Sequence, residues 1–253
     1  MGQDDLASKR EFLGLDFDGL DTEGALAWIA ARSAESPFAY VITPNVDHMV
    51  RLTQLGRDLR RAYTHADLCL CDSRVLARLG RMVNVDLPVA PGSDITKALF
   101  ETGLEAGDTI CLIGGTPAHA ARLAELYPRL TIVQHVPPMG LLHDPAARAA
   151  AIDAAAAASA RVTLIAVGSP QQELIAFEMR RSGKVHGTAL CIGASVDFLV
   201  GNEKRAPRVV QKAGMEWAWR LASNPRRLAK RYLVDGPAIF PLVWRWAKKR
   251  RRT

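Results

Sequence analysis

Six clusters of polar, proline and glycine residues each follow an apolar run of strand-forming residues. They are Thr43-Pro44-Asn45, Asp72-Ser73, Gly114-Gly115-Thr116-Pro117, Pro137-Pro138-Met139-Gly140, Gly168-Ser169-Pro170-Gln171-Gln172-Glu173 and Gly193-Ala194-Ser195. Glycine lets a backbone come close to a ligand, and the free N–H groups at a helix start attract phosphate. In open α/β sheets ligands bind outside the carboxyl ends of the strands, so the clusters together point to a phosphate-bearing ligand. Taken singly, each also reads as a βα turn that needs Gly and Pro only to turn the chain.

Missing motifs narrow that ligand. No GxGxxG follows the first strand and no GxxxxGKS/T occurs, which counts against a dinucleotide site and an ATP-hydrolysing P-loop; GxSxG is absent as well. Asp16-Phe17-Asp18 imitates the Asp-x-Asp that holds a metal in many sugar transferases. It lies in LGLDFDGL, an N-terminal strand-and-turn pattern with no long buried strand before it, and reads as structural. Cys69, Cys71, Cys111 and Cys191 sit inside apolar runs and read as reduced core residues. No second CxxC or Cys/His pair joins Cys69 and Cys71, so neither a metal site nor a cofactor is expected.

The elements that must position these clusters are visible in the apolar pattern. FAYVIT (38–43), DLCLC (67–71), TICLIG (109–114), LTIVQHV (130–136), VTLIAVG (162–168) and TALCIG (188–193) are buried-strand candidates. Helical patterns cover 46–63, 94–105, 117–126, 145–160 and 171–181, with Thr116 and Asp144 as N-caps before first-turn prolines. Continuous apolar strands alternating with helices predict an α/β fold with a mostly parallel sheet covered on both faces.

The chain has 253 residues, 49% of them hydrophobic and 23% charged, enough for one sizeable core and against disorder. No apolar run approaches the length that spans a bilayer, and the start MGQDDLASKR has no signal-peptide h-region, so a cytoplasmic protein is expected. The net charge of +7 is unevenly placed: residues 202–253 hold 15 Lys/Arg against three acids, whereas residues 1–201 hold 18 bases against 23 acids. The expected organisation is a body over 1–201 and a basic appendage over 202–253. Such a tail usually meets a polyanion, whether nucleic acid, an anionic membrane or substrate phosphates; the alternative is a solvated basic helix. Trp217, Trp219, Trp244 and Trp246 are interleaved with its arginines, a composition that favours a peripheral membrane contact over nucleic acid.

Seven ordered segments carry a resemblance: TPNVDHMVRL, ADLCLCDS, APGSDI, IGGTPAHAARLAELYP, VGSPQQE, IGASVDFLVGNEKRAP and MEWAWRLASNPRRLAKRY. Together they resemble the WecG/TagA/CpsF glycosyltransferases. The resemblance implies a Rossmann-like fold and a metal-independent, inverting transfer from a UDP-sugar, usually of the N-acetylmannosamine type. The implied acceptor is a saccharide on a polyprenyl diphosphate at the inner face of the cell membrane, in the synthesis of a cell-surface polysaccharide.

Inverting transfer is one in-line displacement, needing a base for the acceptor hydroxyl and positive charge for the leaving diphosphate. Asp72 matches the family's catalytic aspartate, though that position also suits a cap for the following helix. Thr43 and Asn45 match polar residues beside it, Gln172 matches the glutamine of PxQE, and Gly114, Gly115 and Gly168 belong to the expected substrate loops. Arg220, Arg227, Lys230 and Arg231 match the family's C-terminal basic residues, and Arg205 is a further candidate for the diphosphate. Asp197 either touches the sugar or caps a helix. Two positions depart from the family: Ser73 replaces the usual Gly after the aspartate, and Val89 an Arg on the acceptor side. The rival readings are a nucleotide-binding oxidoreductase on a doubly wound sheet and a noncatalytic homologue that binds membrane or nucleic acid; a homo-oligomer stays open.

Overall fold

An antiparallel hairpin, β1 (Arg10–Phe12) and β2 (Leu15–Phe17), precedes six strands that follow the six apolar runs: β3 (Ala39–Ile42), β4 (Leu68–Cys69), β5 (Thr109–Gly114), β6 (Thr131–His135), β7 (Val162–Ala166) and β8 (Thr188–Cys191). This is a computed structural model, and it describes residues 9–203, 206–207, 209–210 and 213–251. The six strands form one sheet in the order β4-β3-β8-β7-β5-β6, parallel at every neighbouring pair. Successive side chains of a strand point to opposite faces, and here they feed two apolar layers. Cys111 and Ile113 of β5 join one layer with Tyr40 and Ile42, while Ile110 and Leu112 join the other with Val41 and Leu164. The fold is α/β and Rossmann-like.

Helices cover both layers: α1 (Thr22–Ala30), α2 (Val46–Leu52), α3 (Arg57–Thr64), α4 (Arg74–Arg81), α5 (Gly92–Ala98), α6 (Pro117–Leu126), α7 (Pro145–Ala158), α8 (Gln171–Ser182) and α9 (Ser195–Leu199). The single helix expected over 46–63 is two. Thr53 turns its hydroxyl back onto the Val50 carbonyl at 2.7 Å, and extended Gly56 starts α3 afresh. The helix expected from 94 begins earlier, after Pro91, and finishes as a π turn over Leu99–Gly103. Asp144 caps α7 as expected, accepting the Ala147 N–H at 2.9 Å.

The tail is helical: Glu216–Ser223, Pro225–Ala229, a π turn over Lys230–Asp235, a short 3-10 turn and a last helix Ile239–Arg250. Ile239 and Val243 are buried in the layer that holds Tyr40. Trp246 stands edge-on to Phe12 with ring centres 5.2 Å apart, and its Nε1–H donates to Glu11 Oε1 at 3.0 Å. Among the described residues no helix is long and apolar enough to cross a membrane.

The topology sets where the clusters meet. From β5 the chain runs outward to the edge strand β6, whereas from β7 it runs the opposite way to β8, so their exit loops diverge. A crevice of that kind at the carboxyl ends is where such sheets bind ligands.

Candidate active site

Asp72 leaves the sheet just past β4, where a bridge between Cys71 and Val89 prolongs the pairing. Its own N–H donates to the Pro44 carbonyl at 3.1 Å, which ties the β4 exit to the β3 exit. Its Oδ1 accepts the Gly92 N–H at 3.2 Å, and the Asn45 side chain also bonds to the carboxylate. Burial raises the Asp72 carboxyl and nearby Glu216 raises it further; Arg220 and the bonds from Asn45 and Gly92 oppose them, and the group stands at about 6. Capping of α4 falls to Ser73, whose hydroxyl accepts the Leu76 N–H at 3.2 Å. Asp72 is thereby left free of the capping role that its sequence position also allowed.

Thr43 and Asn45 stand beside it. A Cβ on Gly92 would lie 2.7 Å from Thr43 Oγ1, so the start of α5 meets Thr43 only because residue 92 is glycine. Asn45 caps α2, its Oδ1 accepting the N–H of Asp47 at 3.0 Å and of His48 at 3.4 Å.

Gly114 and Gly168 flank the crevice. Gly114 has φ +96°, and a Cβ there would lie 2.9 Å from the Ala166 carbonyl oxygen of β7, so both conformation and contact demand glycine. Gly168 faces open space, with no atom within 4 Å of the position a Cβ would take. Gly115 packs against His119, whose Nδ1 accepts the Thr116 N–H at 3.1 Å.

Gln172 is buried and its amide is engaged within the protein. Oε1 accepts the Gly193 N–H at 2.9 Å and Nε2 donates to Glu173 Oε1 at 2.8 Å, so it braces the β8 exit against α8. Asp197 lies inside α9 and caps no helix; its Oδ1 is 3.1 Å from His119 Nε2 and its carbonyl accepts the N–H groups of Asn202 and Glu203. It fastens the chain that leads into the tail.

The tail brings cations to this wall. Arg220 lies over the Phe198 ring at 5.6 Å, 3.9 Å from Glu203, and close enough to Asp72 to favour its ionised form. Arg231 reaches α2, with Nε 3.3 Å from Asp47 Oδ2 and a terminal nitrogen 3.4 Å from Asn45 Oδ1. Lys230 is exposed on the π turn. Arg205 and the side chain of Arg227 lie outside the described residues.

Three site residues escaped the sequence reading. Glu173 was visible only as one member of a polar cluster, and burial pushes its carboxyl upward. His48 and Glu216 carried no signal of their own as site residues. Burial, then the charges of Arg231 and Arg51, push His48 down to about 3, so it is neutral. Asp18 of the Asp-x-Asp triplet is buried under the sheet edge, accepting the Cys69 N–H at 2.8 Å, which gives that triplet its structural role.

A half-buried carboxylate with its titration raised, one backbone N–H and an amide side chain bonded to it, and an arginine of the tail near enough to favour its ionised state together form an arrangement suited to group transfer on an α/β sheet. The chain belongs to the glycosyl transferase WecG/TagA/CpsF family, whose family model matches residues 10–253. It is therefore a glycosyltransferase.

Proposed function

We propose that the enzyme moves a sugar of the N-acetylmannosamine type, or a related hexose, from a UDP-sugar to a saccharide on a polyprenyl diphosphate, with inversion and without a metal. Asp72 carries this reading: its carboxyl titrates at about 6, near the operating range that suits a general base. The acceptor hydroxyl oxygen attacks the anomeric carbon and its proton passes to Asp72. The bond from that carbon to the diphosphate oxygen breaks, and the pair of electrons leaves with UDP. Arg220 meets the charge that develops, joined by Arg227, Lys230, Arg231 and Arg205 of the same tail. Thr43 and Asn45 hold the base and the acceptor, and the loops of Gly114, Gly115, Gly168 and Asp197 receive the donor.

In this reading residues 1–201 form the catalytic body, and the appendage 202–253 completes the site and rests on the inner face of the cell membrane. The last helix supports that placement. Phe240 and Trp244 are exposed on it, they line a groove of about 420 Å³ with Met82 and Leu79, and Lys248 lies over the Trp244 ring at 5.2 Å. Aromatic rings beside basic side chains suit the headgroup level of an anionic bilayer.

Transfer assays with a panel of UDP-sugars and a short-chain lipid-diphosphate acceptor test the reading, with Asp72→Asn as the control. Release of UDP that depends on both substrates and on Asp72 supports it. A wild-type protein that binds no UDP-sugar and transfers none overturns it.

A further inference from the structure

A buried line of side chains runs behind Asp72 from α8 to α2. Gln172 donates to Glu173 Oε1 at 2.8 Å, Glu173 Oε1 faces His48 Nε2 at 3.6 Å, and His48 Nδ1 stands 2.9 Å from Asn45 Oδ1. Asn45 in turn bonds Asp72. Glu173 is 1% exposed, and its Oε2 has no hydrogen-bond partner among the described residues. The hydroxyls of Tyr63 on α3 and Ser169 bond each other at 2.8 Å and also lie close enough to Glu173 to favour its ionised form. Tyr40 on β3 and Cys191 on β8 also face Glu173, and neither is a cation. The guanidinium groups nearest His48 belong to Arg51 and Arg231, and both are paired with Asp47. Among the described residues no cation faces Glu173, and burial outweighs these hydrogen-bond donors, so its carboxyl is held up at about 6.

The imidazole shows where the proton goes. His48 Nδ1 has two neighbours from Asn45 that make opposite demands: the backbone N–H at 3.3 Å needs a lone pair, and the side-chain oxygen at 2.9 Å needs a proton. Turning the Asn45 amide over does not relieve this, because Oδ1 already accepts two backbone N–H groups of α2. The shorter contact puts the ring proton on Nδ1. Nε2 is then an acceptor, and what faces it is Glu173.

We propose that Glu173 and His48 are positioning residues for the base. Glu173 in its acid form presents a proton to His48 Nε2, which keeps the ring proton on Nδ1; that proton holds Asn45 Oδ1 and leaves the Asn45 amide N–H₂ turned to Asp72. The inference rests on Asp72 as the base. When Glu173 ionises, the ring proton moves to Nε2, Asn45 Oδ1 meets a lone pair, and Asp72 loses its oriented neighbour. Both carboxyls stand at about 6, so turnover should peak near that pH and fall on the alkaline side as Glu173 loses its proton.

Nitrogen-15 NMR of the histidines in the ligand-free protein tests the tautomer directly. The expected result is Nδ1–H for His48 in the wild type at about pH 5 and in Glu173→Gln, and Nε2–H in the wild type at about pH 8, where Glu173 is ionised; Nε2–H in the wild type at about pH 5 overturns the proposal. In kinetics, Glu173→Gln supplies an uncharged donor and should keep kcat within about threefold while losing the alkaline limb, whereas Glu173→Ala should lower kcat by ~10-fold with the donor KM unchanged. Equal losses in the two variants, or an alkaline limb that does not move in Glu173→Gln, also overturn it. If Glu173→Ala does not fold, the comparison of Glu173→Gln with the wild type decides. An active Asp72→Asn variant would instead remove the assignment of the base, and the tautomer measurement would still judge the Glu173–His48 pair.

Discussion

Arg231 of the tail lies 3.3 Å from Asp47 of α2, a buried carboxylate that also holds Arg51 at 2.9 Å. One acid therefore latches the tail beside the base. Asp47→Asn should loosen the latch at a cost of about 1 kcal/mol, since Arg231 is partly exposed. Limited proteolysis should cut the variant faster within the tail helices over 216–250 than the wild type. Unchanged cleavage would show that other contacts hold the tail.

Asp72 gives a pH prediction whose sign follows from its role. A base must be ionised, so kcat/KM should fall on the acid side of about 6 as Asp72 takes up its proton. Asp72→Asn should lower turnover by ~10²- to 10⁴-fold with folding intact. Stability should move the other way. The folded carboxyl holds its proton more tightly than the unfolded one, so the acid destabilises the fold increasingly from about pH 4 to about pH 6 and steadily above that. Thermal melts should find Asp72→Asn more stable than the wild type at pH 8 and level with it near pH 4.

Gly92 and Thr43 should behave as one unit. Gly92→Ala forces a methyl group into Thr43 Oγ1, an overpacking cost of about 1–3 kcal/mol, and pushes the Gly92 N–H off Asp72. Thr43→Ala in the same chain should return part of the stability. Additive losses in denaturant titrations of the single and double variants would show that the two do not meet.

Leaving-group stabilisation by protein cations predicts that EDTA leaves activity intact. Arg220→Ala should lower turnover by ~10²-fold, the scale for losing one well-placed charge stabiliser. Arg220→Lys should restore only part of it, because a point charge lacks the planar fork that matches phosphate oxygens. Activity lost in EDTA and regained with a divalent metal would reject the mechanism.

Removing residues 248–252 should weaken binding to anionic liposomes, more at low salt than at high, where screening already mutes the attraction, and spare transfer to a soluble acceptor. Cosedimentation measures the first and UDP release the second. If the shortened protein bound vesicles as before, the basic end would not be the membrane contact; salt-dependent binding of DNA or RNA by the full chain would favour the nucleic-acid reading instead.

The strands were legible because a strand covered on both faces is a nearly continuous apolar run, as ALC in β8 and LIA in β7 are. The break between α2 and α3 was not, since 46–63 keeps its helical pattern through Thr53 and Gly56, and only the backbone there shows the restart. Asp72, Asn45 and Thr43 could be picked out as strand-end residues, but not that Gly92 seats them. Glu173 and His48 could not be singled out because their importance comes from burial and mutual distance, which spacing along the chain does not encode. The sequence also suggested an appendage over 202–253 set apart from the body over 1–201. Ile239 and Val243, buried in the same layer as Tyr40 and Phe12, give the last helix a share in the core.

The contact of Trp246 with Phe12 and Glu11 bridges 235 positions of the chain. Phe12 is fully buried in the finished fold, yet the ring that covers its edge is synthesised only after every strand of the sheet. The hairpin must therefore wait through the synthesis of the whole sheet with an aromatic face open to water or to a chaperone. The aromatic, basic helix proposed to meet the bilayer is the same segment that closes this face, so the protein reaches its final packing at the moment it acquires its means of attachment.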